Sequence, residues 1–269
     1  MEQPAVDDHR PLRDQNERRT GMKRRQLLLA GAGLLSGCDK VVQDPQVRTT
    51  LAHTEDITRT VQRLVTGPAS LAPEYPAADI SPAFKGNGTV DPDDDDYQDL
   101  ASNHFKDWRL DIGGLVEHPA KLSLDDLRAM PSRTQITRHD CVEGWSCIGK
   151  WKGVPLGTLL QQAVLRQGAT YIVFHCADRL DESLSSEKYY ESIGLEDAFH
   201  PQTILAYDMN DQPLSVRHGA PLRLRVERQL GYKMAKYIMR IEAVSSFRHI
   251  GGGKGGYWED LGYAWYAGI

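Results

Sequence analysis

The chain has 269 residues, of which 40% are hydrophobic and 26% charged, and its formal net charge is −5. That length can bury a substantial core as one large domain or two small ones, and the acidic balance argues against a dedicated nucleic-acid binder, which needs a basic face for phosphates. No apolar stretch reaches the roughly 20 residues that cross a bilayer as a helix, no repeat of about 20–50 residues is visible, and the four cysteines, Cys38, Cys141, Cys147 and Cys176, form no CxxC knuckles and are too few for a disulfide scaffold.

In chain order the first unit reads as an address. Met22-Lys23-Arg24-Arg25-Gln26 is basic, Leu27 to Leu35 is short, apolar and rich in Gly and Ala, and Leu35-Ser36-Gly37-Cys38 follows. A charged n-region, a short h-region and a small-residue cleavage site describe a signal peptide, and this h-region is too short to span. The Arg24-Arg25 pair resembles the twin-arginine export signal. Leu35 to Cys38 resembles a lipobox, whose cysteine is lipidated and becomes the new N-terminus; the plainer alternative is a Sec signal with a chance cysteine. Met22 competes with Met1 as the start. Residues 1–38 are therefore expected to be a signal region that sends the protein to the periplasm, with membrane contact through acyl burial only. The twin-arginine route resembles one kept for proteins that fold around a cofactor before crossing, so the address itself suggests a cofactor.

Residues 39–75 are polar, with one amphipathic stretch near Asp56–Val65, and read as a tether. Residues 76–269 read as one catalytic domain. The acidic run Asp91–Asp96, with Pro92, predicts a solvated loop, with a calcium site as the alternative. Trp108 to Ile112 alternates as a strand and turns at Gly113-Gly114. Ser123 is a candidate N-cap for a helix Leu124–Met130 ended by Pro131. Gln135–Arg138 predicts a short strand leading into a loop Cys141–Lys150. Leucines at helical spacing predict a helix Leu156–Arg166. Thr170–Phe174, Thr203–Tyr207, Leu222–Val226 and Tyr237–Ser245 predict strands, with turns at Asp211-Gln212-Pro213 and His218-Gly219-Ala220-Pro221. Strands and short helices mix without a βαβ beat, so the class is α+β. Neither a GxGxxG after a strand nor a P-loop is present.

Four segments carry chemistry-bearing residues. In Arg138-His139-Asp140-Cys141-Val142-Glu143-Gly144-Trp145-Ser146 a cysteine sits among a cation, an imidazole and two carboxylates. Arg138 and the loop amides favour a thiolate and the carboxylates oppose it, and three uses compete: nucleophile, zinc ligand and soft-metal ligand. Tyr207 to Leu214, His218 to Arg223 and Gly231 to Tyr237 follow. The last two offer His218, Arg223, Lys233 and Lys236 around glycine-bearing turns, a composition suited to a phosphorylated ligand; surface cations on a strand-turn-strand are the alternative.

These residues resemble the sulfite oxidase-type molybdopterin domain, a likeness that includes the catalytic subunit of the periplasmic methionine-sulfoxide reductase. It runs from about Asp107 to Ser246, and more loosely from Ile80. Cys-Val-Glu-Gly-Trp-Ser is followed by Trp151-Lys152-Gly153-Val154-Pro155-Leu156, then by His-Gly-Ala-Pro-Leu-Arg and by Gly-Tyr-Lys with Lys236. The resemblance implies a single mixed-sheet catalytic domain carrying molybdenum on one pyranopterin (molybdopterin). Cys141 would be the thiolate ligand, chosen because sulfur is soft and electron-donating. His218 and Arg223 would hold the pterin phosphate and ring, Lys233 and Lys236 would add phosphate contacts, and Asn87 and Cys176 would touch the cofactor. Glu143 would tune the metal or cap the loop amides. His139 would structure the loop and could carry protons, and Trp145 would pack. Cys147 is either a spare thiol or the partner of Cys176. The glycines at 251–256 and Trp258, Tyr263, Trp265 and Tyr266 would fold back toward the pocket mouth. Gly-Asn-Gly stands at Asn87 where sulfite-oxidising members carry Arg-Asn-His, so sulfite is not the expected substrate. No haem or iron–sulfur motif, b5-type domain or immunoglobulin-like domain is read. Oxygen-atom transfer on a small sulfoxide, N-oxide or oxyanion, with a membrane cytochrome b as electron partner, is the expectation. A cysteine hydrolase or transferase using Cys141 with His139 or His175, and a non-catalytic lipoprotein for a phosphorylated ligand, are its rivals.

Overall fold

The computed structural model describes residues 60, 61, 67, 70–180 and 187–269. The signal region and most of the tether, including nearly all of Asp56–Val65, lie outside the described residues. No helix among the described residues is long and apolar enough to cross a membrane.

Two five-stranded sheets and a few short helices build the α+β domain. The first sheet contains β1 (Leu110–Gly114), β2 (Ala120–Leu122), β5 (Tyr171–Cys176), β6 (Tyr190–Gly194) and β10 (Ile238–Val244), in the order β2-β1-β10-β5-β6. Only β1 and β10 run parallel, with Ile112 opposite Ile241. The second sheet orders β3 (Arg133–Asp140), β4 (Ser146–Pro155), β7 (Ile204–Met209) and β8 (Gln212–Pro213), with β9 (Arg223–Arg225) also paired to β7. The main core joins both sheets through Ile112, Phe174, Leu205, Leu224 and Ile241. Leu156, Leu159 and Leu160 of the helix Leu156–Ala163 enter the same core.

Several sequence expectations need correction. The acidic run is not all loop: α1 (Asp95–Ser102) begins there, and the Asp94 side chain caps it by accepting from Tyr97 N at 3.2 Å. Asp95 and Asp96 then lie in the first turn, where the helix dipole favours carboxylates. α2 (Leu124–Ala129) has the predicted Ser123 cap, completed to a capping box by Asp126. The helix expected to reach Arg166 stops sooner: α3 (Leu156–Ala163) ends where Val164 turns left-handed at φ 54°. The loop expected to reach Lys150 is only Cys141–Trp145, because Asp140 already pairs with Ser146 and His139 with Cys147. Gly149 and Gly153 weaken the strand signal of β4, yet Gly153 is needed there: a Cβ would stand 2.1 Å from Leu205 O, beside the bulge between Lys152 and Gly153. Strand β6 was not foreseen. Four of its five residues are buried, so it shows no alternation.

The inward face of β3 is polar. Gln135, Thr137 and His139 stand two residues apart and all are buried. They meet Arg225 and the nearby Glu227: Gln135 Nε2 donates to Glu227 Oε1 at 2.8 Å, and Arg225 Nη1 lies 3.1 Å from His139 Nδ1. These bonds tie β3 to β9 directly behind the Cys141 turn, and leave only His139 Nε2 of the three β3 side chains without a partner among the described residues.

Candidate active site

The β3–β4 hairpin presents Cys141 on a five-residue turn. Cys141 N donates to Trp145 O at 2.9 Å, and Gly144 N donates to Cys141 O at 3.0 Å. Gly144 has φ 82° with open space around it, so the backbone conformation alone calls for glycine. Glu143 Oε2 accepts from Trp145 Nε1 at 2.8 Å and from Lys85 Nζ at 3.3 Å. Those bonds hold the exposed Glu143 carboxyl below its usual value, the Trp145 bond contributing most.

Cys141 is a free thiol opening into a cleft whose walls include Asn87, Glu143, Asp178, Tyr232 and Lys236. Burial raises the Cys141 thiol above its usual range, against the amides of Glu143 and Val142 and the charge of Lys85. Arg138, expected to favour the thiolate, is engaged by Asp140 at 2.9 Å. The chain alone therefore keeps this sulfur protonated. A coordinated metal removes such a proton outright.

A buried cationic layer adjoins this wall. Arg223 is fully buried; Nη1 donates to His218 O at 3.0 Å, while Nε and Nη2 have no partner. Its guanidinium carbon lies 4.8 Å from the Trp151 ring centroid. Burial and the neighbouring Arg225 bring its pKa down to about 9. Burial and Arg223 likewise lower Lys236 to about 7. Its Nζ donates to Asn87 O at 2.6 Å and also to Thr89 O. His218 falls to about 4 through burial, Arg223, Lys236 and Arg217. Arg225 is answered by Glu227 at 2.6 Å, both fully buried, whereas Arg223 makes no salt bridge among the described residues. Buried cations that repel one another and keep unused donors are matched by an anion.

Residues 97–249 match the family described as oxidoreductase molybdopterin binding domain, and the chain belongs to that family. It is thus an oxidoreductase that uses molybdenum on a pyranopterin. It is 38% identical over 250 residues, covering 93% of this chain and 87% of the other, to a protein of Azospira oryzae provisionally named protein-methionine-sulfoxide reductase subunit YedZ1. Two protein-methionine-sulfoxide reductase catalytic subunits MsrP, from Xanthomonas axonopodis pv. citri and Campylobacter jejuni, are 36% and 34% identical over 51% and 53% of this chain. The chain matches 45% and 51% of their lengths, about half of each. The sulfane dehydrogenase SoxCD from Paracoccus pantotrophus superposes with a TM-score of 0.47 at 25% identity, covering 52% of this chain and 39% of that one.

The side chains fit this cofactor. A dithiolene-held metal needs only one protein donor, and Cys141 offers one. No group of three His, Cys, Asp or Glu among the described residues could hold a metal by itself, which removes the support for a zinc centre. The unused Arg223 donors suit a phosphate.

The predicted site residues do not all meet. Asn87, Cys141, Glu143 and Lys236 line the cleft, with Arg223 and His218 in the cationic layer. His139 is fully buried behind the wall, with Nδ1 3.2 Å from Met234 Sδ. Burial first, then Arg225, Arg223 and Lys236, keep it neutral. Cys176 is buried on β5 and its thiol is pushed well up by burial. Cys147 and Cys176 are both free, so they are not paired. Lys233 stands apart, its ammonium held between Glu191 and Glu259. Of the C-terminal aromatics, Trp258 lines the cleft. Sequence reasoning missed Arg225, Glu227, Asp178, Glu191 and Glu259. Only Arg223-Leu224-Arg225-Val226-Glu227 carried a signal, as charges two residues apart on one strand face.

Proposed function

We propose that this oxidoreductase reduces sulfoxides by two-electron oxygen-atom transfer outside the cytoplasmic membrane, with Cys141 as the thiolate that holds the molybdenum. One observation carries the reading: a free cysteine on a rigid turn shares a cleft with Lys236, next to a buried arginine with unused donors. The names of the relatives support sulfoxides over N-oxides and oxyanions.

When bound, the cofactor supplies a metal that exchanges two electrons and one oxygen with the substrate. The chain does the rest. Arg223 and Lys236 hold the phosphate, by paired hydrogen bonds and by point charge respectively. Neutral His218 adds a hydrogen bond without further positive charge. Glu143, fixed by Trp145 and Lys85, orients what enters beside Cys141. Tyr232 and Trp258 narrow the space open to water. Overall a sulfoxide, two electrons and two protons give a sulfide and water.

The hydrolase rival is disfavoured because no histidine bonds to Cys141 among the described residues: His139 faces Met234 and Arg225, and His175 bonds Glu242 at 3.0 Å in the other sheet. A twin-arginine-like signal and the lipobox-like Cys38 support a periplasmic, lipid-anchored location. That anchor would keep the protein near a membrane cytochrome b as electron donor, and the word subunit in the relatives' names supports a partner.

The test is metal and pterin analysis of the purified protein, followed by turnover of sulfoxides, N-oxides and oxyanions with a reduced viologen. One molybdenum per chain, and sulfoxide reduction that disappears together with the metal's EPR signal in Cys141→Ser, is the expected result. An unchanged signal in that variant would overturn the ligand assignment, and turnover confined to the other substrates would overturn the sulfoxide reading.

A further inference from the structure

Asp178 follows β5 and lines the same cleft as Cys141. It is only 3% exposed, and its Oδ1 accepts no hydrogen bond. Its backbone is fixed, since Tyr189 N donates to Asp178 O at 2.7 Å. An ionised carboxylate with an unpartnered buried oxygen is costly, whereas a neutral carboxyl there costs far less. The charged and titratable groups facing it come from every side: Lys236 ahead of β10, Lys188 and Tyr189 at the start of β6, Cys176 on β5, Tyr97 on α1, and Tyr237. Neither lysine pairs with it. Lys188 Nζ lies 2.7 Å from Asp94, and Lys236 Nζ is engaged by two backbone carbonyls.

We propose that Asp178 is the proton donor of the cleft, an assignment that rests on the sulfoxide-reduction reading. Two electrons come from the reduced cofactor and the S–O bond breaks. One proton passes from the Asp178 carboxyl to the departing oxygen and a second enters from solvent, so that sulfide and water leave. Asp178 then recovers its proton through the open mouth of the cleft. The electrostatics agree with this role. Burial raises the carboxyl to about 6 even though the Thr89 hydroxyl and Lys236 pull it down. The Asp178 charge in turn pulls Lys236 up, against the burial and the Arg223 charge that hold it at about 7.

The experiment uses the molybdenum-loaded full chain and its Asp178→Asn and Asp178→Glu variants. It measures metal and pterin content, kcat/KM for a sulfoxide against pH, and the protonated-carboxyl band in infrared difference spectra. Asp178→Asn is expected to keep its cofactor and lose about 10²- to 10⁴-fold in kcat/KM. It should also lose the decline in rate above about pH 6 and the carboxyl band, while Asp178→Glu restores part of each. An unchanged pH profile in the asparagine variant overturns the proposal. So does loss of cofactor from that variant, which would make Asp178 a cofactor seat. A wild type that reduces no sulfoxide sinks the sulfoxide reading separately. In that case the infrared titration still decides, because a wild type whose Asp178 carboxyl band is already absent at about pH 5 to 6 rules the donor out.

Discussion

Replacing Lys233 with methionine isolates a fully buried cluster of one cation and two carboxyl groups. Lys233 Nζ lies 2.5 Å from Glu191 Oε1 and 2.5 Å from Glu259 Oε1, with side chains 0%, 0% and 1% exposed. The three come from the 3₁₀ turn Gly231–Lys233, from β6 and from α4 (Tyr257–Asp260), which the chain brings together from different regions. Burial alone would depress the Lys233 ammonium, but the two carboxylates outweigh it and raise the value. Burial and the charge of Glu259 push Glu191 well above the usual carboxylate range. Lys233→Met keeps the volume and leaves two carboxyls without their cation, so the expected cost is about 3–5 kcal/mol. For a domain of this size that lowers Tm by about 6–20 °C. In the variant Glu191, already raised by burial and Glu259, loses the Lys233 charge that pulls it down and rises further. Its neutral form, which tolerates burial, persists at acid pH and is lost as pH rises through that folded value. The deficit is therefore expected to be largest near pH 8 and to shrink toward about pH 5. Thermal and urea unfolding of wild type, Lys233→Met and the triple variant with Glu191→Gln and Glu259→Gln would measure it, the triple recovering most of the loss. A cost under about 1 kcal/mol, or one that does not change with pH, would refute the reasoning. Cofactor loss with stability intact would restore to Lys233 the phosphate role expected from the sequence.

Gly231→Ala would place a Cβ 2.4 Å from His139 Cε1 and 2.5 Å from its Nε2, against a ring already held by Arg225 and Met234. It is expected to lose about 1–3 kcal/mol in urea unfolding, and full stability would show that the wall yields freely. Ser123→Ala removes the acceptor for Asp126 N at 3.1 Å and the partner of Asp126 Oδ2 at 2.6 Å. A loss of about 1 kcal/mol follows, and an unchanged midpoint would count against the capping box. His218 is held neutral, its pKa lowered to about 4 by burial and then by Arg223. Its stabilising share is present above the ordinary histidine value and disappears as pH falls through the folded one. The cofactor-free His218→Gln variant should therefore show a shallower acid limb in urea midpoints between about pH 6.5 and 4, and an identical limb would exclude His218 as the cause.

Local interactions made parts of the fold legible. The Ser123 cap needs only its own next three residues, and most core strands other than β2, β4 and β6 declare themselves by β-branched and aromatic runs. β6 was hidden because burial on both faces erases alternation, and β4 because Gly149 and Gly153 look like loop residues until the neighbouring strand is present. On its own, the amino-acid order determined the α+β class, the family motifs, and the candidates Cys141, His218, Arg223 and Lys236, since short segments encode turns, caps and donor types. Tertiary structure alone decided which cations converge without a carboxylate and which are already neutralised. Arg223 is left with unused donors, Arg225 is closed by Glu227, and Lys233 is taken by Glu191 and Glu259. The same holds for Asp178, which reads as one acid among 37 in the sequence and gains meaning only where the cleft leaves one of its oxygens buried without a donor. The physical reason is that charge and burial act through space at distances of a few ångströms, and the groups that meet at such distances here are separated by 26 and 42 positions along the chain in the Lys233 cluster.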